Sequence, residues 1–102
     1  MARQIIWTDA ALDDIDHIAT YIAFDSSHYA ASFVKRIQKA AYSLDEFAER
    51  GRKVPEFDDS SIRELRISSY RLIYLLQANT ATILTIVHTS RDLDGLLTSL
   101  DL

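Results

Sequence analysis

One change of period divides this chain. Up to Ala48 the apolar residues recur at helical spacing, and from Ile62 they run and alternate as in strands. Ala11/Leu12, Ile15, Ile18/Ala19 and Ile22 mark a first helix. Asp13, Asp14, Asp16 and His17 fall mainly between them and read as a solvated acidic face. Ala30, Phe33/Val34, Ile37, Ala40/Ala41, Leu44 and Phe47/Ala48 mark a second, with Lys35, Arg36 and Lys39 off the stripe. Beyond Gly51, the segments Ile62–Ile67, Tyr70–Leu76 and Thr82–His88 are rich in Ile, Leu, Tyr and Val and read as three strands. A helical half followed by a strand half predicts an α+β fold.

The breaks sharpen this outline. Arg3 to Thr8 is a short apolar segment suited to a first strand, and Thr8 is a good N-cap with Asp9 in the first helical turn. Asp25-Ser26-Ser27 interrupts the helical pattern and caps the second helix. That helix is expected to run about six turns, with Arg50 in its last turn and Gly51 in the C′ position. So short a link makes the two helices an antiparallel hairpin. Pro55 and Asp58-Asp59-Ser60-Ser61 mark an irregular connection, while Ser68-Ser69 and Gln77–Ala81 are short enough for β-hairpins. The tail from Asp92 is expected to add a short helix through Leu93, Leu96, Leu97 and Leu100. The expectation is one domain over residues 1–102: N-terminal strand, antiparallel helical hairpin, three-stranded antiparallel meander and short C-terminal helix.

Composition narrows the function. With 48% hydrophobic residues, 102 residues can build a core without staples. There is no cysteine, which excludes disulfides, thiolate metal sites and cysteine nucleophiles. Met1–Trp7 has no long apolar run and does not read as a signal peptide. No stretch approaches the roughly 18 apolar residues of a membrane span, so no membrane partner and a cytoplasmic location are expected. The three histidines are scattered, His17 and His28 read as surface residues, and no metal or cofactor is expected. Net charge is −4, but residues 50–91 carry seven basic against four acidic groups. A basic middle between acidic ends suggests a local site for an anionic partner, while the overall acidity argues against a broad nucleic-acid surface.

Arginines inside the strands are the candidates for that site. Alternation puts Ile62, Glu64 and Arg66 on one face and Arg63, Leu65 and Ile67 on the other. In the next strand Arg71, Ile73 and Leu75 oppose Tyr70, Leu72, Tyr74 and Leu76. If Leu65, Ile67, Leu72 and Tyr74 face the helices, then Glu64, Arg66 and Arg71 lie on a concave, half-exposed face open to a partner. The expected partner-binding residues are Arg63, Arg66, Arg71, Arg91, Ile73 and Leu75. The other reading of Arg63, Arg66 and Arg71 is ion pairing with Glu56, Glu64 and nearby Asp residues.

The order and spacing of several pieces resemble the RelE/ParE superfamily of bacterial toxins from type II toxin–antitoxin systems. The pieces are Trp7, Leu12-Asp13-Asp14-Ile15, Arg52-Lys53-Val54-Pro55-Glu56, Ile62-Arg63-Glu64-Leu65, Tyr70-Arg71-Leu72-Ile73-Tyr74 and Ile86-Val87-His88-Thr89-Ser90-Arg91-Asp92-Leu93. The resemblance implies a cognate antitoxin as partner, laying a helix along the hairpin groove and extending the sheet edge. It also implies one of two activities: non-catalytic inhibition of DNA gyrase in the ParE-like branch, or mRNA cleavage on the ribosome in the RelE-like branch.

The residues favour the first. RelE-type ribonucleases carry two lysines on the first meander strand, and these positions align with Ile62 and Glu64. Their C-terminal tyrosine falls at about Leu97, whereas the arginines match Arg71 and Arg91. Charge-stabilising groups therefore remain and the usual acid/base groups are absent. His88 has an unperturbed pKa near neutrality, and some ribonuclease members pair a histidine with a glutamate. The alternative catalytic set is accordingly Arg71, Arg91, His88 and Glu64. His88 is otherwise a strand-end residue bonded to a neighbouring loop. A degenerate toxin that only binds antitoxin is the third reading, prompted by the acidic Asp92-Leu93-Asp94-Gly95-Leu96-Leu97 segment.

Overall fold

In a computed structural model of the chain, which describes residues 2–91 and Leu93, both halves form the expected kinds of element. β1 spans Gln4–Trp7, α1 Asp9–Ala23, α2 Ser27–Tyr42, β2 Arg52–Lys53, β3 Ile62–Ile67, β4 Tyr70–Leu76 and β5 Thr80–His88. Thr8 caps α1, its side chain accepting from the Ala11 amide, and Ser26 caps α2 through the Tyr29 amide. The expected C-terminal helix falls largely outside the described residues.

The strands form one five-stranded sheet in the order β1-β5-β4-β3-β2. β3, β4 and β5 make the antiparallel meander. The N-terminal strand does not stand apart from it. β1 joins as an edge, parallel to β5, with Gln4 opposite Thr80 and Trp7 opposite Ile83. The sheet is therefore mixed. The connection between the two parallel strands is long, as parallel pairing requires, and takes in the helical hairpin together with β2, β3 and β4. β2 adds a second short edge beside β3, in a stretch expected to be irregular.

Helix α2 is shorter than its apolar stripe. It stops at Tyr42 and continues as two 3₁₀ turns, Ser43–Asp45 and Ala48–Arg50, that keep Leu44 and Ala48 buried. The Ser43 hydroxyl donates to the Ala40 carbonyl at 2.6 Å, a local bond that competes with the helical ladder. The Asp45 carbonyl accepts instead from the Arg3 amide at 2.8 Å, which ties the helix end to the N-terminal strand. Gly51 is thus not a helix C′ residue. Its backbone is extended, φ −72° and ψ 149°.

Both faces of the sheet carry apolar cores. The larger lies under the helices, where Phe33, Ile37, Ala41 and Leu44 meet Leu65, Leu72, Tyr74, Ile83 and Ile86. Each fully buried Leu or Ile here contributes about 1.5–3 kcal/mol. A smaller cluster on the opposite face joins Val54, Ile62, Ile73, Leu84, Val87 and Leu93, with Phe57 and Leu75 against it.

Candidate functional site

The face opposite the helices carries Glu64 and Arg71, as the alternation requires: Glu64 is paired with Ile73 and Arg71 with Val87. It is not half-exposed at that point. Glu64 is 3% and Arg71 5% exposed, because residues 54–57 fold back over them beside the small apolar cluster. The chain re-enters the sheet as β2 after Gly51, which places Arg52 opposite Glu64.

Four side chains close into a network there. Arg71 Nη1 and Nη2 donate to the two carboxylate oxygens of Glu56, each at 2.9 Å. Arg71 Nε donates to Glu64 Oε2, and Nη2 to Glu64 Oε1 at 3.2 Å. Arg52 Nε donates to Glu64 Oε1 at 2.8 Å. Two guanidiniums against two carboxylates leave no net charge, and the geometry is the paired fork that suits Arg and carboxylate. The bonds from Arg71 hold the Glu56 carboxyl below its ordinary range, against a modest opposing effect of burial. The same bonds, chiefly those to Glu56, keep Arg71 more firmly protonated than a free arginine. Of the two readings of Arg71 from sequence, ion pairing with Glu56 and Glu64 describes its surroundings.

The other strand arginines part company. Arg63 donates to the backbone carbonyls of Gly51 (3.0 Å), Glu49 (3.3 Å) and Ser60 (3.2 Å), clamping the loops on either side of β2. Arg66, the cross-strand partner of Arg71, is exposed at the end of β3. Ile73 is fully buried and Leu75 packs beside it in the small cluster. Arg91 is exposed beyond β5, its amide donating to the His88 carbonyl at 3.0 Å.

His88 lies on the other side of the sheet from Glu64. It is paired with Tyr70, and the two rings meet edge to face at 5.4 Å between centroids. Tyr70 in turn packs on Phe33 of α2. Glu64 belongs with Ile73 on the far face, so the structure does not bring the Glu64 and His88 side chains together. His88 Nδ1 accepts from the Ser90 amide at 3.1 Å, which leaves Nε2 to carry the proton of the neutral ring.

Two features escaped the sequence reading. The first is Asp14, read as part of a solvated face. Its Oδ2 accepts from the Thr85 hydroxyl at 2.6 Å and from the Ile86 amide at 3.0 Å. β1 ends opposite Ile83, so that amide has no strand partner and a helix carboxylate takes the place of one. A register shift between Ile73 and Tyr74 leaves Leu84 as an extra residue, and the Thr8 hydroxyl meets the carbonyls of both Ile83 and Leu84 at 2.9 Å. The second is a cleft of about 330 Å³ beside this bulge, bordered by Asp14, His17, Tyr70, His88 and Arg91. His17 Nδ1 donates to the Asp13 carbonyl at 2.8 Å, so its Nε2 is the free lone pair. The adjacent Leu12-Asp13-Asp14-Ile15 run was the only available signal, and it does not say which Asp turns inward.

Among the described residues, no three His, Cys, Asp or Glu side chains gather as a metal site. No helix among them is long and apolar enough to cross a membrane.

Comparison with known proteins agrees with this architecture. Residues 5–93 match a family model described as the ParE toxin of the type II toxin–antitoxin system parDE. A toxin called RelE2 from Caulobacter vibrioides is 34% identical over 89 residues, covering 86% of this chain and 97% of that one. Among solved structures, the chromosomal ParDE toxin–antitoxin system of P. aeruginosa superposes with a TM-score of 0.69 at 21% identity. That match covers 85% of this chain and 96% of the other. The RelBE2 toxin–antitoxin complex of Mycobacterium tuberculosis gives 0.62 at 18% identity, over 86% and 99% of the two chains.

Proposed function

The chain belongs to the ParE toxin family of type II toxin–antitoxin systems, and we propose that it acts without catalysis, as a growth inhibitor of DNA gyrase held in check by a cognate antitoxin. One observation carries the non-catalytic part: among the described residues, the one buried carboxylate–guanidinium centre is closed on itself. Glu64 accepts three guanidinium hydrogen bonds, so its lone pairs are committed and it is a poor proton acceptor for a 2′-hydroxyl. Arg71 is neutralised by two carboxylates and has no charge to spare for a phosphorane. The match to the ParE toxin family supports gyrase as the target. The antitoxin reading is supported by the large apolar side chains left in water on the helical hairpin, Leu12, Tyr21, Phe24 and Tyr29. Short edges at β1 and β2 leave room for strand addition.

A second reading, an mRNA interferase, draws on the other cleft. There His17 offers a lone pair and His88 a proton at their free nitrogens, with Arg91 alongside. The two readings separate in parallel assays of the purified chain. Loss of supercoiling by purified gyrase, with translated mRNA intact, is the expected result. Cleavage of mRNA on translating ribosomes, abolished by His88→Ala or Arg91→Ala, would replace it with the second reading. A chain inert in both assays that still binds its antitoxin is a degenerate toxin.

A further inference from the structure

A second cleft, of about 340 Å³, lies between α2, the 3₁₀ turns that follow it and the end of β3. Four cationic residues line it: Arg36, Lys39, Arg50 and Arg66. No acidic residue lines it, in a chain whose acidic groups outnumber its basic ones by four. Among the described residues, no carboxylate lies within ion-pairing distance of any of the four; the ion pairs there belong to Arg52 and Arg71.

The arrangement follows from the sequence step by step. Arg36, Lys39, Ala40 and Ser43 stand at spacings of three and four residues and so share one stripe of α2. The 3₁₀ turns that end α2 bring Arg50 back to this stripe, where its Nη1 donates to the Ser43 hydroxyl at 2.9 Å. That hydroxyl is itself fixed on the Ala40 carbonyl, so Arg50 is held in place before anything binds. β2 ends short of Arg66, which leaves that end of β3 as a free edge. Ala40 and Ile67 give the cleft an apolar floor.

We propose that this cleft binds a compact polyphosphate, as free polyphosphate or as the phosphate chain of a nucleotide. The four exposed like charges that border this cleft repel one another, and a bound anion relieves that repulsion. The ligand must place several negative charges within a few ångströms. A di- or triphosphate does so, whereas a peptide spreads one charge per side chain. Arginine forks match phosphate oxygens in pairs. The chain as a whole carries a net charge of −4, which opposes a long nucleic-acid backbone laid across it. The cleft is separate from the Arg71 network and from the cleft at His88, and the proposal holds whichever cellular target the chain has.

Calorimetric titration of the full chain tests this, at about 150 mM salt so that weak surface attraction is screened. The probes are inorganic tripolyphosphate, ATP, a single-stranded oligonucleotide and an oligoglutamate peptide. Tripolyphosphate is expected to bind saturably at one site. Arg36→Gln and Arg50→Gln are each expected to weaken it about tenfold, the scale of one lost charge-assisted bond. Lys35→Gln, the same charge change on α2 outside the lining residues, is expected to leave affinity within about twofold. Tighter binding of ATP identifies a nucleotide as the source, and equal binding identifies free polyphosphate. Absence of saturation by millimolar tripolyphosphate, or an equal loss in Lys35→Gln, overturns the proposal. Binding of the oligonucleotide alone or of the acidic peptide alone overturns it too, in favour of a nucleic acid or a protein at this cleft.

Discussion

Gly51 has no room for a side chain, and the reason lies 23 residues away. A methyl group there would run into the Tyr74 hydroxyl, and would also lie 2.8 Å from Tyr74 Cε1 and 2.9 Å from the Glu64 carbonyl oxygen. Tyr74 is fully buried; its hydroxyl donates to the Ala48 carbonyl at 2.6 Å and accepts from the Gly51 amide at 3.1 Å. Burial pushes the Tyr74 hydroxyl pKa up, so it stays neutral and keeps both bonds. Gly51→Ala is expected to destabilise by about 1–3 kcal/mol, as overpacking does. Tyr74→Phe is expected to cost about 2 kcal/mol, since two buried backbone groups lose their partner. The double variant should not recover stability, because the Glu64 carbonyl still blocks the methyl group; denaturant unfolding of all three checks this. A double variant as stable as Tyr74→Phe alone would show that the hydroxyl was the only obstacle. The buried network makes a parallel case. Glu64→Gln leaves the Arg71 and Arg52 guanidiniums facing a neutral amide, at an expected cost of about 3 kcal/mol. The apolar pair Glu64→Leu with Arg71→Met should be less destabilised than Glu64→Gln, because no buried charge is orphaned. Thermal melts of the two proteins decide between them.

At the scale of elements, helix α1 depends on Asp14 for its seat on the sheet. Thr8 fixes its first turn to the bulge in β5, and Asp14 fixes the second turn to Thr85 and Ile86. Asp14→Ala is expected to cost about 1–3 kcal/mol, the scale for a buried amide left without an acceptor. Exchange of the Ile86 amide should accelerate by more than exchange of the amides in β3. Uniform acceleration would mean that Asp14 stabilises the fold only globally. The sequence showed the elements themselves well. Periodicity located α1, β3 and β4, and alternation sorted Glu64 and Arg71 onto one face and Leu65 and Tyr74 onto the other. Local chemistry also identified Thr8 as a cap, and the run Asp25-Ser26-Ser27 as the one that supplies the cap of α2. What it could not show were partners distant in the chain. The parallel seat of β1 beside β5 depends on about 75 intervening residues. Likewise, α2 stops at Tyr42 although the apolar stripe continues, because the 3₁₀ turns bury the same residues with a tighter pitch. Gly51 suggested a helix end for the same local reason, when a tyrosine across the sheet was the cause. The candidate site was half legible: the arginines were visible, and which of them would be buried depended on the fold-back of residues 54–57.

For the molecule as a whole, acid is the condition expected to separate its two faces, through Glu56. Arg71 donates to both Glu56 oxygens and holds that carboxyl below its ordinary value of 4.5. A carboxyl depressed in the folded state binds fewer protons than it does when unfolded. Its contribution is therefore fully present above about pH 5 to 6 and is lost as pH falls through the folded-state value. Asp59, held low by its bonds from Ser61, acts in the same direction at the exposed end of the same loop. Protonating Glu56 removes half of Arg71's partners while Arg71 keeps its charge. Residues 54–57 should then loosen first and uncover the small apolar cluster of Val54, Ile62, Ile73 and Leu84, while the core under the helices persists. Denaturant unfolding at pH 7, 5, 4 and 3 is expected to show stability falling below about pH 4.5. Glu56→Gln should start lower at pH 7 and lose less stability across the acid range, so that the two curves converge at low pH. Curves that stay parallel down to pH 3 would assign the acid sensitivity to other carboxylates and leave Glu56 a surface group with a merely tidy geometry.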